Sequence, residues 1–150
     1  MKQENAYWVL GHKVEPHQPS GDYDMVVGET PKGVPGPPPH HHDKYNEVFF
    51  VLEGQMDFMV NGKVQRLKAG ESIDITPGTV HTFSNSGDKA CRWLNLHSPK
   101  GFLSFFEAFG VPQNEEGAVE RSAKPEVIRA VIEKCSHYDM HLAPQPASST

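Results

Sequence analysis

Glycine-bearing turn signals punctuate the middle of this chain at Glu53-Gly54, Asn61-Gly62, Ala69-Gly70, Pro77-Gly78 and Ser86-Gly87. Between and beyond them lie short β-prone runs: Glu47 to Leu52, Gln55 to Val60, Val64 to Leu67, Ser72 to Thr76, Val80 to Ser84 and Ala90 to His97. Asn61-Gly62 is the strongest hairpin signal, since a type I′ turn needs positive φ at both central positions. Two more strand-like runs, Tyr7 to Val14 and Tyr23 to Thr30, come earlier, with a polar turn from His17 to Asp22 between them. Many short segments and turns favour a mainly all-β fold over a helical bundle. An antiparallel sandwich or barrel also covers its own edges.

Composition bounds the rest. A chain of 150 residues reads as one domain and can bury roughly two-thirds of its unfolded surface without staples. A net charge of −5 with no Lys/Arg cluster argues against nucleic acid as a partner. Cys91 and Cys135 are the two cysteines and make no disulfide framework, so a reducing cytoplasm is the expected location. No run is apolar and long enough to span a membrane, and Met1 to Asn5 leads into no signal-like apolar segment.

Pro31 to Pro39 holds five prolines and two glycines, a stiff lead-in of polyproline character. It delivers His40-His41-His42, with Glu47 just beyond. In an extended chain alternate residues share a face, which puts His40 and His42 together with Cα atoms roughly 6–7 Å apart and turns His41 away. Imidazole and carboxylate are good ligands for a divalent transition metal. A fourth ligand must come from another strand. His81 is best placed, because it opens a strand after a Pro-Gly turn and shares a face with Phe83.

These residues resemble the cupin superfamily. His40, His42, Glu47 and Gly54 match its first motif without a gap. Gly70, Gly78, His81 and Asn85 match its second, with Thr76 where the family usually has proline, and Gly33 stands one residue further from His40 than the usual opening glycine. Ser98 to Phe102 with Phe105-Phe106 resembles the exit segment of single-domain, quercetin-dioxygenase-like cupins. The resemblance implies a double-stranded β-helix, or jelly-roll barrel, holding one divalent transition metal (Fe, Mn, Ni, Co, Cu or Zn) on His40, His42, Glu47 and His81. It also implies a small-molecule partner and pairing as a homodimer through outer sheet faces. Family chemistry spans dioxygenases, decarboxylases, isomerases and non-catalytic binders.

Around that site, alternation from Glu47 turns Phe49 and Val51 inward, and Phe83 follows His81. Met56 and Phe58 are expected to line the same cavity, with Met59 as the register alternative. Trp93 joins them as a pocket candidate; it shares a face with Asn95, though which face stays open. Glu47 is the candidate catalytic base, and an apolar wall would raise its pKa toward that task. The leading expectation is metal-dependent dioxygenation of a small phenolic or enolic substrate. The alternatives are a non-catalytic small-molecule or metal binder and a metal-dependent decarboxylase or isomerase. His97 reads as structural, with a role behind the ligands as the alternative; Tyr45 reads equally as a surface turn residue or a gate.

The barrel is expected over residues 1–100 and a C-terminal helical segment packed on it over 101–143. One short helix is expected at Gly101 to Gly110, with Phe102, Phe105, Phe106 and Phe109 as core. Pro112 to Ala123 reads as polar linker. Pro125 to His137 reads as an amphipathic helix with Val127, Ile128, Val131 and Ile132 on one face. Residues 144–150 are expected to be a disordered tail.

Overall fold

The computed structural model describes residues 5–144. Strands β1 (Tyr7–Val9), β2 (His12–His17), β3 (Asp24–Thr30), β4 (His40–His41), β5 (Asn46–Glu53) and β6 (Gln55–Val60) are followed by β7 (Lys63–Lys68), β8 (Ser72–Ile75), β9 (His81–Ser84) and β10 (Cys91–Ser98). Then come α1 (Leu103–Phe109), β11 (Val111–Pro112), α2 (Ala118–Ser122) and α3 (Pro125–Lys134), a 3-10 turn over Cys135–Tyr138, and β12 (His141–Leu142).

Among the described residues the strands form two antiparallel sheets, ordered β11-β1-β2-β3-β10-β5-β8 and β12-β4-β9-β6-β7. This is a jelly-roll, and its interior follows the two-residue period of the strands. On β5, Glu47, Phe49 and Val51 point inward; on β10, Cys91, Trp93, Asn95 and His97 do. Register then stacks these rows: His97 lies opposite Glu47, Asn95 opposite Phe49, and Trp93 opposite Val51. On the other side of β10, Trp93 lies opposite Gly28 of β3. The β6–β7 hairpin turns through Asn61 (φ 50°) and Gly62 (φ 79°), the paired positive values a type I′ turn requires.

Several boundaries differ from expectation. Tyr7 to Val14 is two strands, because Leu10 (φ 50°) and Gly11 (φ 85°) reverse the chain, and His17 ends β2 rather than opening a turn. The stretch Pro112 to Ala123 is not plain linker: Pro112 pairs with Tyr7 across β11–β1, and Ala118–Ser122 is helical with Ala118 and Ser122 buried. On α3, Val131 is buried, and Cys135 just beyond the helix repeats its spacing of four. Ile128 (40% exposed) and Ile132 (47%) sit roughly 60° and 100° further round and face outward. Of the expected tail, residues 145–150 lie outside the described range.

The C-terminal third is tied to the barrel at particular points. Asp24 of β3 accepts the N–H groups of Gly101 (2.8 Å) and Leu103 (3.1 Å), fixing the start of α1. Beyond the 3-10 turn, β12 pairs with β4, placing His141 opposite His41 and Leu142 opposite His40.

Candidate metal centre

Strand pairing gathers the chemistry at one end of the barrel. His40 of β4 is the register partner of His81 on β9. Across the interior, Glu47 and His97 face each other on β5 and β10. His42, just past β4, completes the group; all five residues are at most 5% exposed. Ligating atoms of His40, His42 and His81 lie within 4.8 Å of one another, as do those of His42, Glu47 and His97. His41 faces the other way, stacked on His141 at 5.1 Å and 3.2 Å from Asp43 Oδ1.

Each of three imidazoles is oriented by a backbone carbonyl. The Nδ1–H groups of His40, His42 and His81 donate to the carbonyls of Pro38 (2.8 Å), Asp139 (2.7 Å) and Thr79 (2.9 Å). A neutral imidazole donating through Nδ1 keeps a lone pair on Nε2, and here that nitrogen points to the cluster centre. Glu47 is held from behind: Asn95 Nδ2 donates to its Oε1 at 3.0 Å. Its Oε2 faces His81 Nε2 at 2.8 Å and His42 Nε2 at 3.3 Å. Among the described residues, His42 Nε2, His81 Nε2, His97 Nε2 and Glu47 Oε2 are the buried side-chain polar atoms without a hydrogen-bond partner. Buried polar atoms left unpaired cost free energy, and a shared cation satisfies several lone pairs at once. The donor set therefore fits a divalent transition metal, the carboxylate supplying charge and the imidazoles suiting Zn, Cu, Fe or Ni.

The electrostatics agree with neutral nitrogen donors at His40 and His97. Burial, reinforced by neighbouring His81 and His42, lowers His40 to about 3, against the pull of Glu47. Burial likewise lowers His97 to about 4, although Glu47 works in the other direction. For His81 burial is outweighed by the close approach of Glu47 Oε2, the Glu47 charge and the Thr79 carbonyl, so its pKa is raised. Glu47 reverses the expectation from its apolar wall. Burial does push it up, but the charge interaction with His97 and the close approach of the His42 and His81 nitrogens hold it well below the usual carboxylate range. Glu47 is thus an ionised ligand first.

An apolar cavity opens on the cluster. Of the expected lining, Phe49, Phe83 and Trp93 border it. Val51, Met56 and Phe58 do not. Val51 follows Phe49 on β5 and Met56 and Phe58 lie on β6; all three are buried in the core, where Phe58 packs on Phe49 at 4.9 Å. Other residues line the cavity that were not expected there. His97 and Asn95 were legible from alternation, sharing the β10 face with Trp93. Phe102, Phe105, Phe106 and Met140 come from the C-terminal segment, and Val9, Leu10 and His12 from the first hairpin. Phe102 stacks on His97 at 4.2 Å. Tyr45 contacts His42, His97 and Phe102, which puts it beside the cluster, only partly exposed.

His12 is buried yet fully satisfied. Its Nε2–H donates to the Pro35 carbonyl (3.1 Å), so Nδ1 accepts from the Thr30 hydroxyl (2.9 Å), which itself accepts the Trp93 indole N–H (2.9 Å). Cys91 is a free buried thiol pushed up to about 11 by burial, which makes it inert. Asn85 serves the turn, accepting Gly87 N–H through Oδ1 and donating to the Thr30 and Lys89 carbonyls.

Residues 26–97 match the profile of a known family, described as Cupin domain. Over 56 residues the chain is 39% identical to the HTH-type transcriptional regulator PuuR of Escherichia coli, covering 37% of this chain and 30% of that one. Over 92 residues it is 29% identical to quercetin 2,3-dioxygenase of Bacillus subtilis, covering 61% of this chain and 27% of the other. The chain thus spans about 30% of the length of these curated relatives. Among solved structures, KdgF from a Halomonas species superposes with TM-score 0.58 at 19% identity, over 67% of this chain and 91% of that one. An RmlC-like cupin from Shewanella frigidimarina gives 0.58 at 22% identity, over 66% and 86%. At these identities the structures speak to fold alone. Among the described residues no helix is long and apolar enough to cross a membrane.

Proposed function

We propose that this chain, whose residues 26–97 form a cupin domain, is a metal-dependent dioxygenase acting on a small phenolic or enolic substrate. The observation that carries the reading is the set of converging, unpartnered lone pairs on His42, His81, His97 and Glu47. With His40 they would hold one divalent transition metal. When bound, such an ion supplies Lewis acidity toward a substrate oxygen and, if redox-active, an electron route to dioxygen.

The chain's own residues supply the rest. Phe49, Phe83, Trp93 and Phe102 form aromatic walls that would orient a planar ring and exclude water. Among the described residues no Lys or Arg lines the cavity, which disfavours phosphorylated or carboxylate substrates and favours a neutral aromatic or enolic one. Glu47 Oε2, facing the cluster, would take the proton of the substrate hydroxyl while Asn95 holds Oε1. If a ring carbon–carbon bond beside the enolic oxygen breaks as both atoms of dioxygen enter the product, the substrate supplies all four electrons and no external reductant is required.

A second reading, a non-catalytic small-molecule sensor, draws support from the resemblance to a transcriptional regulator, since one fold hosts both roles. Oxygen uptake by the metal-loaded protein with a flavonol or another enolisable aromatic separates the two. Uptake that is lost in Glu47→Gln while metal is partly retained is expected. Absence of uptake with each of Fe, Mn, Ni, Co and Cu would reject the enzymatic reading, and undiminished turnover in Glu47→Gln would reject the base.

A further inference from the structure

His40 and His81 take their orienting carbonyls from two residues upstream, Pro38 and Thr79, within the matched cupin domain. His42 does not. Its Nδ1–H donates to the carbonyl of Asp139, a residue 97 positions on and outside that domain. We propose that Asp139 is a positioning residue for His42, so that the segment after α3 is a working part of the metal centre; this rests on the metal reading above.

The geometry is that of a clamp on the ligand-bearing loop. Asp139 ends the 3-10 turn in a left-handed conformation (φ 57°, ψ 36°), its own N–H donating back to Cys135 and Ser136. That conformation turns its carbonyl toward His42. Its carboxylate meanwhile accepts the next two amides of the same loop, Asp43 N–H at Oδ1 (2.9 Å) and Lys44 N–H at Oδ2 (2.8 Å). One residue therefore fixes His42, Asp43 and Lys44 together. On the other side of the loop, β12 pairs with β4 and Ala143 N–H donates to the Pro39 carbonyl (2.9 Å), so the strand carrying His40 is held by the same segment. Met140, between clamp and strand, is buried and lines the cavity.

The physical role follows. A ligand imidazole must present the correct nitrogen at the correct angle, and its second nitrogen's partner decides both. Aspartate suits the position twice: it tolerates left-handed backbone, and its two oxygens match two adjacent amides. Asparagine keeps the backbone tolerance and one acceptor. Alanine keeps neither.

The test uses the full chain and Co(II) alone, with affinity read by competition against a chromophoric chelator and geometry by the Co(II) visible absorption. Asp139→Ala is expected to weaken Co(II) binding by roughly 10–100-fold and to shift the band, with Asp139→Asn in between. In the metal-free protein, imidazole ¹H–¹⁵N spectra should show His42 as the Nδ1–H tautomer in wild type and a mixture in Asp139→Ala. Ser122→Ala serves as the control for general loosening. Its hydroxyl accepts Gly11 N–H and donates to Val119 on α2, so the variant is destabilised but should keep wild-type Co(II) affinity. Wild-type affinity and band in Asp139→Ala would overturn the proposal, as would an equal loss in Ser122→Ala. If Asp139→Ala does not fold, Asp139→Asn decides, and wild-type affinity there overturns it. If wild type itself takes up no Co(II), the metal reading beneath the proposal fails instead.

Discussion

Acidification should destabilise this protein through one histidine that lies away from the ligand cluster. His12 is neutral in the fold: burial lowers its pKa from 6.5 to about 4, outweighing the Pro35 carbonyl, which acts in the opposite direction. In the unfolded chain it titrates at its ordinary value. Between the two values the unfolded state binds a proton that the folded state refuses, so stability falls as pH falls. The contribution is fully present above pH 6.5 and lost on the way down to about 4. At about 1.36 kcal/mol per pH unit, His12 should cost about 2 kcal/mol between pH 7 and pH 5, and about 3 kcal/mol by pH 4. Urea unfolding of metal-free wild type and His12→Gln across this range isolates the effect, because His40 and His97 titrate in both chains and cancel in the difference. Glutamine can donate to Pro35 and accept from Thr30 without titrating. The wild-type curve should therefore fall more steeply, by about 2 kcal/mol over pH 7 to 5. A difference that stays flat over that interval would show that His12 is not a buried neutral link between Thr30 and Pro35.

Three further outcomes are expected. His97→Ala should lower metal affinity by at least about tenfold, while His41→Ala should leave it within about twofold, both by competition with a chelator, since His97 points an unpartnered nitrogen into the cluster and His41 does not. Gly36→Ala should cost about 1–3 kcal/mol in chemical denaturation, because an added Cβ would meet the Phe83 backbone carbonyl, which cannot swing aside as a side chain could. Phe102→Ala should cost about 3–5 kcal/mol on the same assay, as it removes a buried ring stacked on both His97 and Phe105.

The positions of the strands in the barrel centre and the turns that separate them were readable because both depend on local signals: a two-residue period and the backbone demands of residues such as Asn61 and Gly62. The grouping of His40, His42, Glu47 and His81 was readable through motif spacing. What escaped was set by contacts distant in sequence. His97 read as structural or as standing behind the ligands, because a lone histidine in a strand carries no spacing signal; only the fold shows its place beside Glu47, although its alternation with Trp93 would have turned it inward. The low pKa of Glu47 followed from surrounding nitrogens that only the folded register brings near. Phe58 and Met56 faced inward as expected, but direction along the strand, which decides lining from core, has no signature in alternation. Asp139 was invisible for a plainer reason: its partner is His42, most of the chain away.

The carbonyls that orient His40 and His81 belong to the main chain of Pro38 and Thr79, so the acceptor survives whatever side chain those two positions carry, whereas at Asp139 the carboxylate helps to set where the carbonyl sits. Substitution at Pro38 or Thr79 can change the path of the chain but cannot delete the oxygen that holds the ring. At residues 38 and 79 the support of the site is thus carried by chain trajectory rather than by residue identity. Residue-by-residue comparison among relatives would register the ligands as fixed and positions 38 and 79 as free to drift. Such a centre tolerates wide divergence around an unchanging set of donors, and inheritance of its geometry is a matter of turns and strands rather than of letters.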